Sequence, residues 1–256
     1  MREAYSPSGP PTREGRAVPW WSMIYQVTRE TETGMSADGA DAWHERLGWA
    51  FGLTAGDRAE RAAALARLAD ARRNTQDALH RYNKTWRWRY SPRRKAASRN
   101  YLEVRGGSLP EALWDRPAGA DVAAWPGLPY ALLFLEWEAR HPQEWTRHAK
   151  AWGTKQGLIR DLAVAHHDRT VRTKLADLVE IVVQRPYRCK DREYVRVARA
   201  VDAVDSDDLR GRLEAAARTD NPWARRHAGY VLHLLDRPEV PNTRHVWQSW
   251  LAASGE

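Results

Sequence analysis

The chain has 256 residues, 43% hydrophobic and 29% charged, with 14 Trp, one Cys and a net charge of +8. That length suffices for one large domain or two small ones, and the composition excludes wholesale disorder. No run reaches the roughly 20 apolar residues of a membrane span, no apolar signal core opens the chain, and a single cysteine excludes disulfide frameworks and multi-cysteine metal clusters. A cytoplasmic location without a membrane partner is expected. The positive charge favours a polyanionic partner.

Residues 1–19, with Pro7, Gly9, Pro10, Pro11 and Pro19, read as a flexible arm. Trp20, Trp21, Met23, Ile24 and Tyr25 form a short apolar anchor, and Thr31 to Gly39 a loop. A helix is expected after Asp41, with Trp43, Leu47, Ala50 and Phe51 on one face. Thr54 and Asp57 open the next helix in a capping-box-like way. Its face runs through Leu65, Leu68, Arg72, Thr75, Leu79, Tyr82 and Trp86, polar in the middle, so a break near Asn74 is expected, with Pro92 as the end. Gly106-Gly107 marks a turn, and Ser108-Leu109-Pro110-Glu111 a helix start. Alternating β-branched runs are missing, so the expected class is all-α.

The C-terminal half carries an internal repeat. Asp168, Val171, Lys174, Ala176, Val179, Val182, Val183, Arg185 and Pro186 are followed 52 positions later by Asp220, Trp223, Arg226, Ala228, Val231, Leu234, Leu235, Arg237 and Pro238. The same offset relates Trp145 to Val197 and Arg160 to Arg212. Three helices per unit follow, over 142–152, 155–166 and 170–184, then 191–204, 207–218 and 222–236, with a closing helix near 243–253. The polar caps, mid-helix alanines and proline-marked turns resemble the HEAT and armadillo class of α-helical repeats over about residues 128–254. The expected organisation is an arm (1–19), an N-terminal helical region (20–127) and HEAT-like repeats (128–256) packed on it.

Charge is unevenly distributed. Arg72, Arg73, Arg81, Lys84, Arg87, Arg89, Arg93, Arg94, Lys95 and Arg99 face only Asp77 within residues 72–99, so this segment carries +9 and the remainder nearly cancels. Lys84-Thr-Trp86-Arg87-Trp88-Arg89-Tyr90 alternates rings with cations. On a nucleic acid, DNA or RNA, the cations would meet phosphates while Trp88 stacks on a base; alternatively Trp86 and Tyr90 fill the core and the arginines are solvated. The expected contact set is Arg81, Lys84, Arg87, Trp88, Arg89, Arg93, Arg94, Lys95, Arg99 and Arg226.

Asp220-Asn221-Pro222-Trp223-Ala-Arg-Arg226-His-Ala228 is similar to a helix start in the HEAT-like alkylpurine DNA glycosylases. That resemblance implies Trp223 and Arg226 on a concave DNA-binding surface, with Trp114-Asp115 the nearest counterpart of the catalytic Trp–Asp pairing. Alignment with Val171 instead places Trp223 in the core. The histidines lack metal-ligand spacing, and Cys189, beside Arg188 and Lys190, is an incidental thiol; no metal, cofactor or catalytic motif is legible. The expected function is non-catalytic nucleic-acid binding through backbone contacts. A scaffold or complex subunit docking an acidic protein partner is the alternative, with a glycosylase-like enzyme behind both.

Overall fold

The computed structural model describes residues 39–87, 91–204 and 206–254. The expected arm over 1–19, the anchor from Trp20 to Tyr25, and Trp88, Arg89 and Tyr90 lie outside the described residues. Every regular element among the described residues is helical. In chain order these are α1 (Ala40–Leu47), α2 (Arg58–Asn83), α3 (Pro92–Gly106), α4 (Leu128–Arg140), α5 (Pro142–His148), α6 (Trp152–Val164), α7 (Arg169–Val183), α8 (Tyr194–Asp202), α9 (Ser206–Ala217), α10 (Pro222–Leu235) and α11 (Arg244–Ala253). Short 3-10 turns lie at Gly48–Thr54, Glu111–Asp115, Gly119–Ala124 and Asp191–Glu193. None of these helices is long and apolar enough to cross a membrane.

Local chemistry sets the helix ends. Asp57 caps α2 by accepting from the Ala59 amide at 2.9 Å, Asp168 caps α7 through the Val171 amide at 2.8 Å, and Asn221 caps α10 through the Trp223 amide at 3.0 Å. Pro92, expected to end a helix, stands in the first turn of α3 instead, where its missing N–H costs nothing; Ser91 is the cap. The expected break near Asn74 is also absent. Thr75 is buried inside a continuous α2 because its hydroxyl bonds back to the Ala71 carbonyl at 3.0 Å.

Helix α4 is buried nearly all round, from Leu128 to Ala139, and is central to the packing of the described helices. It packs on the Gly48–Thr54 turn, α5, the Gly119–Ala124 turn and α7. One hydrophobic core runs from Trp43 through α4 to Leu235. Trp137 and Trp145 are wholly inaccessible, and the Trp145 ring lies 4.7 Å from that of Trp152. At one end of the array α2 and α3 form an antiparallel hairpin; at the other, α10 packs on α7, α8 and α9. The segments α5–α6–α7 and α8–α9–α10 fall within a few residues of the expected helices, and Ala176 and Ala228 are both buried. The caps of α7 and α10, Asp168 and Asn221, are one residue out of the 52-residue register.

Candidate functional site

The described residues of the basic segment lie on the α2–α3 hairpin and beside its connection. Ala64, Leu68, Thr75, Ala78 and Tyr82, spaced by threes and fours, bury one face of α2. Tyr82 stacks on Tyr101 of α3 with centroids 6.2 Å apart. Arg94 closes the hairpin. Its Nη2 donates to the Tyr82 hydroxyl at 2.7 Å and its guanidinium sits 4.6 Å above the same ring. Arg94 is therefore a hairpin clamp, half-buried, and not a solvated cation.

Arg81, Lys84, Arg87, Lys95 and Arg99 are exposed, and none has a carboxylate within 4 Å among the described residues; Arg93 is exposed beside them on α3. Several arginines elsewhere are matched: Arg61 with Glu144, Arg116 with Asp161, Arg160 with Glu193, Arg210 with Asp202 and Arg212 with Asp177. Within the segment Arg72 lies on Glu111 at 3.6 Å and Arg73 on Asp70.

Trp86 departs from its expected core place. It follows the last turn of α2 and is 66% exposed, with the Arg87 guanidinium 5.4 Å from its ring. Its heptad-like spacing from Leu79 and Tyr82 promised burial, but the helix ends at Asn83, so the periodicity no longer applies to it. Composition does hint at such a residue, since fourteen tryptophans are more than a core this size absorbs.

Arg226 is not brought to this hairpin. It lies on α10, on the wall of a cavity of about 480 Å³ bounded by α7, the Asp191–Glu193 turn, α8, α10 and α11. Trp223, expected in the core, is 40% exposed at the same cavity, its ring 5.9 Å from His227. Val171, its counterpart 52 positions earlier, is itself only half-buried in the first turn of α7, so the corresponding place in α10 is not an interior one. Burial holds the His227 imidazole below its ordinary pKa, despite hydrogen bonding with the backbone around Val183. Tyr230 and Trp247 meet edge to face at 4.7 Å on the same wall.

Trp114 and Asp115 do not reach this cavity. Asp115 accepts from the buried Arg105, and Trp114 donates its indole N–H to Thr154 at 3.3 Å. The carboxylate expected from the glycosylase resemblance is thus engaged elsewhere in the fold.

Behind the cavity lies an ion network that the sequence did not suggest. Lys155 bonds to Glu138 at 2.8 Å and to Asp191 at 2.6 Å. Arg185 spans the same two carboxylates at 2.9 Å each, and Arg188 reaches Glu138 at 2.9 Å. Asp191 and Tyr194 join network and cavity: both line the cavity, and Lys155 Nζ lies 5.7 Å from the Tyr194 ring. Burial, and next the nearby Glu138 and Asp191, raise the Tyr194 phenol well above its ordinary pKa. Glu193 behaves oppositely: burial pushes its carboxyl up, but hydrogen bonds from Arg160 and Gln156 outweigh that and hold it at about 2. Saturated carboxylates of this kind neutralise cations and hold helices together.

No family model, curated protein or solved structure matches the chain.

Proposed function

We propose that the protein binds nucleic acid through its phosphate backbone, without catalysis, using the exposed cations of the α2–α3 hairpin. The observation that carries this reading is a concentration of unmatched cations on one hairpin. Arg81, Lys84, Arg87, Lys95 and Arg99 project into solvent without carboxylate partners among the described residues, whereas arginines such as Arg61, Arg116 and Arg210 are neutralised. Lys95 and Arg99, four apart on α3, share one face, as do Arg81 in the last turn of α2 and Lys84, the residue that ends it, three apart. The exposed Trp86 beside Arg87 adds a surface on which a base can stack, worth about 1–3 kcal/mol. Phosphate contacts carry no base information, so binding is sequence-independent. Helices α5 to α10 are read as two copies of a HEAT-like unit that serves as the frame.

Salt titration tests this. Each phosphate contact on B-DNA lowers log K by about 0.9 for each tenfold rise in salt. Five cations give a slope of roughly −4.5 in fluorescence anisotropy with unrelated duplexes. Replacing Arg81, Lys84, Arg87, Lys95 and Arg99 by Gln should flatten the slope and weaken all sequences alike. No binding at low salt, or an unchanged slope, overturns the reading and leaves an acidic protein as the partner of these cations.

A further inference from the structure

We infer that the cavity between α7, α8, α10 and α11 is a binding site for a small organic anion with a flat aromatic body. Its volume, about 480 Å³, falls within the roughly 300–1,000 Å³ typical of small-molecule sites. Val179, Val182 and Val183 of α7 make an apolar floor, and the rings of Trp223, Tyr230 and Trp247 stand over it. An apolar floor under several rings accepts a flat body, and Trp223 remains 40% exposed at this wall.

The polar inventory sets the charge of the ligand. The side-chain acceptors of Asn242, Thr243 and Asp191 on the wall are already taken. Asn242 accepts from the Tyr230 hydroxyl at 3.0 Å and donates to the Arg192 carbonyl at 2.7 Å. Thr243 caps α11 by accepting from the Val246 amide. The Asp191 carboxylate is held by Lys155, Arg185 and the Arg188 amide. The charged groups that remain for a ligand here, Arg244 and Arg192, are cationic. Arg244 is exposed and has no ion pair among the described residues. The nearest carboxylate to Arg192 is Glu193 at 3.9 Å, which already accepts from Arg160, Gln156 and Arg196. Two guanidiniums at an aromatic, acceptor-poor cavity select a carboxylate, sulfonate or phosphate on an aromatic body, and disfavour a cation.

This site stands apart from the hairpin: α10 packs on α7, α8 and α9, whereas α2 packs on α3, α5 and the Gly48–Thr54 turn. It is therefore tested without reference to nucleic-acid binding. The probes are 1-anilinonaphthalene-8-sulfonate and its uncharged counterpart N-phenyl-1-naphthylamine, titrated by fluorescence against the full chain. The sulfonate should bind at one site, at least about tenfold more tightly than the uncharged probe, as one charge-assisted contact implies. The R192Q/R244Q double variant should lose about tenfold for the sulfonate and keep its affinity for the uncharged probe, which also shows that the cavity is intact. Trp223→Ala should weaken both probes. The five-Gln hairpin variant should bind both as the native protein does. Absence of one-site binding, equal affinity for the two probes, or an unchanged sulfonate affinity in R192Q/R244Q overturns the inference. Displacement of the sulfonate by duplex DNA overturns it too, by making the cavity part of a nucleic-acid surface.

Discussion

Lys155 Nζ lies 2.8 Å from Glu138 Oε2, and neither side chain exposes any surface. The pair joins α6 to the central helix α4, and Asp191 ties both to the turn before α8. Buried charges of this kind are tolerable only when their remaining hydrogen-bonding capacity is met, as Arg185 and Arg188 do for Glu138.

The network is unequal in sign: Lys155, Arg185 and Arg188 face only Glu138 and Asp191. Glu138→Gln should therefore cost about 3–5 kcal/mol, since it leaves buried cations short of a carboxylate. Lys155→Met should cost less, because Arg185 and Arg188 still serve the carboxylates. Urea denaturation of both variants gives the order, and a reversed order refutes this account of the charges.

Glu193 makes stability pH-dependent in acid. Its folded-state carboxyl titrates at about 2 against an ordinary 4.5, so its contribution is fully present above pH 4.5 and lost as pH falls toward 2. The shift corresponds to about 3 kcal/mol. Melts at pH 6 and pH 3 should differ by part of that amount, and Glu193→Gln should remove the difference attributable to this residue.

Two tryptophans should respond oppositely to truncation. Trp145 is wholly inaccessible between Phe134 and Trp152, so Trp145→Ala should cost about 3–5 kcal/mol. Trp223 stands half in solvent, and Trp223→Ala should cost under about 1 kcal/mol. Equal losses in thermal melts would restore Trp223 to the core.

Adjacent cations on α3 should also separate. Arg94→Gln removes the Tyr82 hydrogen bond and ring contact and should cost about 1–2 kcal/mol. Lys95→Gln should leave the melting temperature unchanged while weakening nucleic-acid binding. If the two variants melt alike, Arg94 is not the clamp.

Residues close in sequence made much of this legible. Asn221-Pro222 reads as a cap followed by a first-turn proline and is one, and the helices from α5 to α11 begin and end within a few residues of their expected places. Two local readings failed for local reasons. Pro92 is compatible with both the end of one helix and the start of another, and the sequence pattern did not distinguish them. Thr75 looked like a break because a polar residue on an apolar face costs energy unless its hydroxyl is satisfied, and here the Ala71 carbonyl satisfies it.

The sequence by itself determined the all-α class and the concentration of positive charge between Arg72 and Arg99, because helix periodicity, capping and local charge density involve neighbours within a few positions. Only the tertiary structure decided which cations are matched and which are left to solvent. Arg94 and Lys95 are neighbours in the chain, yet one is a clamp on Tyr82, twelve residues away, and the other is exposed. Lys155 meets Asp191 across 36 residues and Arg185 meets Glu138 across 47. Burial and ion pairing depend on which helices come to lie against each other, and no periodicity within one helix encodes that choice.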